Sequence, residues 1–161
     1  MPGGLWSIGG MSFPTLIPGL RGPSEKVAGL VYFGRMVDKV RLAAEGKLPE
    51  AWEASRGTAY PNAFDNRCCR FLGIDYAAFE KRVREGGRDE DLLEWAFEHG
   101  RRPGDEEIEI WNAFMTKLGW RDVYTERVDI RLGEIGLPAG TVATMFEFID
   151  LDEGRLPLPT A

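Results

Sequence analysis

The sequence predicts an all-α protein of seven or eight helices, and three observations support this class. Capping residues precede runs of apolar-periodic residues, glycine follows most of these runs, and proline often stands just beyond the glycine. No stretch alternates apolar and polar residues over the several cycles that indicate a half-buried strand. With 161 residues, of which 43% are hydrophobic and 29% charged, the chain has the size and composition of a single compact globular domain.

We expect three segments along the chain. Residues 1–23 hold six of the 20 glycines and four of the 10 prolines, and they predict an irregular N-terminal arm. Apolar side chains in this arm indicate that it lies along the body of the protein, because a solvated linker does not need them. Residues 24–154 form the predicted helical domain, and residues 155–161 form a frayed tail.

Each expected helix begins at a capping residue, a proline or an apolar-periodic run, and most of them end at glycine. The helices cover residues 24–45, 49–56, 65–73, 75–86, 89–100, 105–118, 121–132 and 141–151. Asp65, Asp75 and Asp89 are the expected capping residues of the third, fourth and fifth helices. Acidic residues follow Asp105 in the first turn of the sixth helix, and Lys117 lies in its last turn, as the helix dipole favours.

Charge and composition exclude several classes of protein. Lys and Arg number 20 against 26 Asp and Glu, and this net charge of −6 disfavours nucleic acid and anionic membranes as partners. No run approaches the roughly 18 apolar residues of a membrane span, and the first residues lack the basic region of a signal peptide, so we expect a cytoplasmic protein. One histidine and two adjacent cysteines exclude disulfide scaffolds and zinc ribbons, and no metal or cofactor is predicted.

The adjacent cysteines, Cys68 and Cys69, allow two interpretations. Arg67 and Arg70 flank them and could lower the pKa of a thiol, which would make it reactive. Neighbouring helical residues point about 100° apart, so the pair can neither share a metal nor form a disulfide without breaking the helix. We therefore expect both cysteines to pack as small hydrophobic residues, with a reactive thiol as the alternative.

Six charged residues form the candidate ligand-binding site. Four lie on the first helix and two at the start of the third: Arg35, Asp38, Lys39, Arg41, Asp65 and Arg67. As a structural feature, they would clasp two helices together, because pairing is the usual way to keep charge near a core. As a functional site, the arginines would bind an anion or carboxylate, and the aspartates would be available for proton transfer.

Two functions are compatible with these features. The first, which we favour slightly, is a helical binding or adaptor module that recognises a protein partner; five tryptophans and the apolar arm could supply an exposed aromatic patch. The second is a small enzyme or small-molecule binder that acts on an anionic ligand at the charged residues. A concave pocket in which Arg35, Lys39 and Arg67 converge would favour the second function, and a flat apolar patch would favour the first.

Four colinear blocks resemble a bacterial family that is known only as a domain of unknown function. They are GLVYFGRMVDKVRL (29–42), FDNRCCRFLGID (64–75), LLEWAFEHGRRP (92–103) and DEEIEIWNAFMTKLGWRD (105–122). The resemblance extends over residues 20–155 and leaves residues 1–19 outside it. It implies a small, cytoplasmic, helical protein with no assigned activity or cofactor, and it includes the six charged residues of the candidate site.

Overall fold

The computed structural model describes residues 7–8, 11–58 and 60–160, and it confirms the mostly helical class. Within these ranges there are eight helices: α1 (Phe33–Ala44), α2 (Glu50–Glu53), α3 (Phe64–Leu72), α4 (Tyr76–Arg84), α5 (Asp89–His99), α6 (Asp105–Lys117), α7 (Thr125–Glu134) and α8 (Met145–Asp152). Four two-residue strands form two antiparallel pairs: β1 (Ser7–Ile8) with β2 (Met11–Ser12), and β3 (Lys26–Val27) with β4 (Leu30–Val31). In this described part of the chain, no helix combines the length and hydropathy that crossing a membrane requires.

The first predicted helix is wrong over residues 24–32. The helix was expected from residue 24, but α1 begins at Phe33, and residues 26–31 form the β3–β4 hairpin instead. The two turn residues, Ala28 and Gly29, have φ angles of 45° and 86°. Positive φ at both turn positions is typical of a tight two-residue hairpin. Tyr32 follows with φ 74°, so three left-handed residues precede α1 and exclude a continuous helix.

The predicted capping residues have mixed outcomes. Asp75 caps α4, since its side chain accepts a hydrogen bond from the backbone N–H of Ala78 at 3.0 Å. Gly73, with φ 69°, ends α3 as predicted. Asp65 and Asp89 were expected to be caps, but they lie inside the first turns of α3 and α5. Their carboxylates form ion pairs with residues distant in the sequence, which a helix-capping rule does not anticipate.

The last two helices begin later than predicted. α7 starts at Thr125 rather than at residue 121, because residues 119–125 form a loop closed by side-chain hydrogen bonds. α8 starts at Met145 rather than at residue 141. Thr144 caps α8, and its hydroxyl oxygen accepts a hydrogen bond from the backbone N–H of Glu147 at 3.1 Å.

The chain divides into two compact units. Of the described residues, the first unit comprises those within Gly19–Arg21 and Glu25–Asn112, and the second comprises those before Gly19, within Gly22–Ser24 and after Asn112. In the first unit, α1 contacts α4, α5 and β3, and the rings of Phe33 and Phe79 meet edge to face at 5.7 Å. In the second unit, α7 contacts α8 around a buried apolar core of Val128, Leu132, Ile135, Phe148 and Leu151.

Both ends of the described chain contribute to the second unit. Phe13 packs against its apolar core, and the backbone N–H of Thr15 donates to the carbonyl of Asp152 at 2.7 Å. At the other end, the N–H of Arg155 donates to the carbonyl of Asp150 at 2.7 Å, and Leu156 packs against the same core. Residues 1–6 and 9–10 of the predicted arm lie outside the described residues. The division into arm, helical domain and tail stays a prediction.

Candidate functional site

Helix α1 carries most of the predicted charged residues, and it buries them. Arg35, Asp38 and Lys39 are 3%, 6% and 3% exposed. Met36 and Val37 lie beside them and are fully buried, so this stretch of α1 has no side that faces water. Charges in such surroundings require partners, because an uncompensated buried charge is strongly destabilising.

Lys39 and Asp65 form a buried ion pair that joins α1 to α3. The Lys39 Nζ lies 2.8 Å from Oδ1 of Asp65, and the hydroxyl of Tyr32 donates to the same oxygen at 2.7 Å. Lys39 also donates to the Tyr32 hydroxyl at 3.1 Å. The second oxygen of Asp65 accepts the backbone N–H of Gly57 at 2.8 Å. Both carboxylate oxygens of Asp65 therefore have donors, and they tie together α1, α3 and the segment after α2.

A second set of ion pairs joins α1 to α5 through Arg21. The Nε and Nη2 atoms of Arg21 donate to the two carboxylate oxygens of Asp38 at 2.9 and 3.0 Å. Its Nη1 donates to Asp89 at 2.6 Å. Asp89 also accepts a hydrogen bond from Arg41 at 2.8 Å, and Arg41 lies 4.0 Å from Asp38. Two arginines and two aspartates thus alternate around a closed ring.

Gly34 provides the space that Arg21 occupies on α1. The Nη2 of Arg21 donates to the Gly34 carbonyl at 3.0 Å. A Cβ atom at Gly34 would lie 2.8 Å from the guanidinium carbon of Arg21, which is shorter than van der Waals contact. Glycine at this position therefore permits the close approach on which the ring of ion pairs depends.

Arg35 and Arg67 complete the six predicted residues. Arg35 donates from Nη1 to the carbonyl of Arg21 at 3.1 Å, and its guanidinium lies 5.3 Å from the ring centroid of Trp52. Arg67 lies on α3 two residues after Asp65 and is half-buried. Among the six, the structure brings Lys39 into contact with Asp65, and Arg41 into contact with Asp38.

Three further residues contribute to this arrangement and were not predicted as site residues, namely Arg21, Tyr32 and Asp89. We use the name charged cluster for these three together with Arg35, Asp38, Lys39, Arg41 and Asp65. One signal for Arg21 was present in the sequence, because it is the only charged residue in positions 1–23. An isolated charge within a glycine- and proline-rich apolar segment requires a partner elsewhere in the chain.

A smaller network connects α2 with α4 in the first unit. Arg56 lies 2.8 Å from the carboxylate of Glu53 and 3.0 Å from that of Glu80, and it donates to the Tyr76 hydroxyl at 3.2 Å. Burial alone would raise the pKa of Glu80, but hydrogen bonds and charge from Arg84 and Arg56 outweigh it and lower this pKa. The Glu80 carboxyl is therefore ionised at neutral pH.

Burial and neighbouring charges shift the pKa values of two groups in the charged cluster, Tyr32 and Asp89, in opposite directions. Burial raises the pKa of the Tyr32 hydroxyl well above its ordinary value, and the neighbouring charge of Asp65 adds to this effect. For Asp89, burial favours a higher pKa, but the hydrogen bonds and charges of Arg21 and Arg41 together lower it. Tyr32 is therefore a neutral hydrogen-bond donor at neutral pH, whereas Asp89 is ionised.

The two cysteines are free thiols and both are buried. Burial raises the pKa of Cys68 well above its ordinary value and raises that of Cys69 to about 12. The Sγ of Cys69 lies 4.0 Å from the sulfur of Met36. This environment favours packing over reactivity, because the thiolate is the nucleophilic form. Among the described residues, no group of three or more potential ligand side chains could hold a metal ion.

A different kind of site lies at the end of α6, in the second unit. Phe114, Trp120 and Val123 are 45%, 54% and 88% exposed, although all three are apolar. They fall within ten consecutive residues, and we refer to them as the 114–123 surface. Single exposed apolar residues are ordinary, whereas several on one short segment make that segment a candidate interaction site.

Side-chain hydrogen bonds fix the backbone of the loop that carries Trp120 and Val123. The two carboxylate oxygens of Asp122 accept the N–H groups of Gly119 and Tyr124 at 2.9 and 2.8 Å. The hydroxyl of Thr125 donates to the Gly119 carbonyl at 2.7 Å, and its oxygen accepts the N–H of Asp122 at 3.0 Å. These four bonds close the loop on itself and fix the backbone from which Trp120 and Val123 project.

These observations define a mostly helical protein with a buried charged cluster and an exposed apolar loop. A family model described as "Domain of unknown function (DUF5069)" matches residues 17–155, which include both features. The chain belongs to this family, and the match confirms the resemblance of the four sequence blocks. A comparison with curated proteins finds no match.

Proposed function

We propose that the protein is a helical binding module that recognises a protein partner through the 114–123 surface. The observation that carries the proposal is the exposure of two aromatic rings and a valine on one short segment. Aromatic residues contribute strongly to protein interfaces because they bury a large apolar area. Moving a fully exposed side chain of this size to full burial contributes roughly 1.5–3 kcal/mol, and the half-exposed rings of Phe114 and Trp120 would contribute part of that.

The closed loop supports this proposal. Asp122 and Thr125 hold the backbone between Gly119 and Thr125 through four hydrogen bonds. A partner therefore meets side chains that are already positioned, and less conformational entropy is lost when the complex forms. A loop whose only role is to connect α6 with α7 does not need to present Val123 to water at 88% exposure.

The pairing within the charged cluster supports a structural role for it. Asp38, Lys39, Arg41 and Asp65 each contact an oppositely charged side chain, and three of the four are buried. An anionic ligand would have to compete with Asp65 for Lys39 and with Asp89 for Arg41. In this proposal, the charged cluster stabilises the first unit, and the 114–123 surface binds the partner.

Differential affinity capture tests the proposed function. Immobilised wild-type protein and the variants Trp120→Ser and Val123→Ser are exposed to lysate from the organism's own cells, and bound proteins are quantified by mass spectrometry. Leu16→Ser is the matched control, because Leu16 is 69% exposed in the same unit but lies outside the 114–123 surface. A captured protein is then purified and titrated against all four forms.

We expect a partner that binds the wild type and Leu16→Ser equally but binds both loop variants at least about tenfold more weakly, the effect of losing about 1.4 kcal/mol. Denaturation midpoints should be the same in all four forms, since the altered side chains are exposed. Identical capture and affinity across the four forms would show that the 114–123 surface is not a binding site.

An anionic ligand at Arg35, Asp38, Lys39, Arg41, Asp65 and Arg67 stays a prediction as the alternative function. A thermal-shift screen against carboxylate and phosphate metabolites tests it, because a ligand that binds the native state raises the melting temperature. A shift that disappears in Arg35→Gln but persists in Val123→Ser would favour this alternative.

A further inference from the structure

We infer that the 114–123 surface takes an acidic peptide segment with apolar side chains from its partner. This inference rests on the proposed function and adds the chemistry of the partner to it. Three observations support it. Exposed cations lie beside the apolar side chains, the carboxylates of the same segment are fewer than these cations, and the backbone at Arg121 is strained.

Exposed cations lie among and beside the apolar residues of this surface. Lys117 is the last residue of α6, three positions after Phe114, and it is exposed. Arg121 is also exposed, and its guanidinium lies 5.2 Å from the ring centroid of Trp120. Arg127, in the first turn of α7, is exposed as well. Carboxylates of a partner that docks on Trp120 would therefore meet positive charge.

The carboxylates of the same segment balance this charge only in part. Residues 113–127 contain two of them, Asp122 and Glu126, against the three cations. Asp122 directs both oxygens at backbone N–H groups of its own loop, so its charge is already engaged there. The segment therefore carries a positive balance, although the whole chain has a net charge of −6. Complementary charge steers association and discriminates between partners.

The backbone at Arg121 supports a role for its side chain. Arg121 has φ 51°, in the left-handed region that favours glycine. A side chain at such a position costs on the order of 1–2 kcal/mol relative to the right-handed form, and residues of this kind cluster at ligand-binding sites. The arginine at this strained position, with its guanidinium over the exposed ring of Trp120, is accounted for if it binds a carboxylate of the partner.

Selection from a library of random peptides tests the chemistry without knowledge of the natural partner. Short random peptides displayed on phage are selected on the immobilised full-length protein, and the enriched peptides are synthesised with a fluorescent label. Their affinities are measured by fluorescence polarisation for the wild type, Lys117→Gln, Arg121→Gln and Val123→Ser. Lys47→Gln is the control, because Lys47 is also an exposed cation but lies in the first unit.

We expect the enriched peptides to combine Asp or Glu with large apolar residues. Lys117→Gln and Arg121→Gln should each weaken binding roughly two- to fivefold, as expected for an exposed ion pair, and Lys47→Gln should leave it unchanged. Affinity should also fall between about 0.1 M and 1 M salt, where the Debye length shrinks from roughly 10 Å to 3 Å.

The outcomes separate this inference from the proposed function. Neutral or basic peptides that bind and are lost in Val123→Ser would overturn the acidic partner and leave the binding module standing. Acidic peptides whose affinity is unchanged in both Lys117→Gln and Arg121→Gln would also overturn it. Failure to enrich any peptide that depends on Val123 would count against the binding surface itself, and with it the proposed function.

Discussion

Asp65 holds the most completely enclosed charge of the first unit. Its carboxylate accepts hydrogen bonds from Tyr32, Lys39 and the backbone of Gly57, and the residue is fully buried. Lys39 is nearly as enclosed, since its side chain is 4% exposed. Each charge depends on the other, because moving a single ion into the interior costs several kcal/mol that only a partner offsets.

We therefore predict that Asp65→Asn destabilises the protein by about 3–5 kcal/mol, because Lys39 is left as an uncompensated buried charge. In the double variant Lys39→Met with Asp65→Asn, the loss should be smaller than the sum of the two single losses by roughly 0.5–3 kcal/mol. Urea denaturation of the four forms provides the measurement. Arg131→Gln, which breaks an exposed pair with Glu134, is the control and should cost about 0–1 kcal/mol. Additive losses would contradict the pairing.

Asp89 predicts how stability depends on pH. Burial opposes ionisation of its carboxyl, but Arg21 and Arg41 lower its pKa below the ordinary value of 3.8. A carboxyl with a lowered pKa in the folded state contributes stability above its unfolded pKa and loses it as the pH falls through the folded value. Wild type should therefore exceed Asp89→Asn in urea midpoint near pH 7, and the difference should shrink below about pH 4. A difference that is constant or grows on acidification would refute this.

The burial of the two cysteines predicts how their thiols react. Because burial raises the pKa of Cys68 and Cys69, little thiolate forms at about pH 8, and access to both sulfurs is blocked. Ellman's reagent should label neither residue in the native protein and both after unfolding in urea. Rapid labelling of one thiol per native chain would instead support the reactive-thiol alternative.

At the scale of elements, the sequence predicted helix ends where the capping or terminating residue lies within a few residues of the end itself. Gly73 ends α3 and Asp75 caps α4, and each of these effects depends only on the adjacent turn. The β3–β4 hairpin escaped prediction because its strands have two residues each, too few to show alternation. Its turn also places alanine at a left-handed position where asparagine or glycine is the usual signal.

The hairpin turn can be tested by changing its two residues. Ala28 has φ 45°, so Ala28→Asn should stabilise the protein by roughly 0.5–1 kcal/mol, because asparagine tolerates this conformation better. Gly29→Ala should destabilise it by about 1–2 kcal/mol through backbone strain alone, since a Cβ there meets nothing within 4 Å. Gly104→Ala is the matched control, with equal space but no positive φ. Equal effects of Gly29→Ala and Gly104→Ala on the urea midpoint would rule out a left-handed turn.

At the scale of the whole molecule, the six charged residues were predicted as a group, but several of their partners, Arg21, Tyr32 and Asp89 among them, were not. Arg21 pairs with Asp38 across 17 residues and with Asp89 across 68. Helical periodicity describes neighbours on one element and carries no information about such distances. The 114–123 surface escaped prediction for a related reason. The extended helix expected from residue 121 placed Val123 within a regular element, whereas Asp122 and Thr125 fold these residues into a loop.

The central claim assigns binding to the 114–123 surface and stability to the charged cluster. The most direct test is calorimetric titration of the captured partner into wild type, Val123→Ser and Asp38→Asn, with a urea denaturation curve for each form. We predict that Val123→Ser binds at least about tenfold more weakly with an unchanged midpoint. Asp38→Asn, assayed where it is still folded, should bind normally with a lowered midpoint, because Arg21 loses one of its two carboxylate partners. The reverse pattern, with binding lost in Asp38→Asn and kept in Val123→Ser, would contradict the claim.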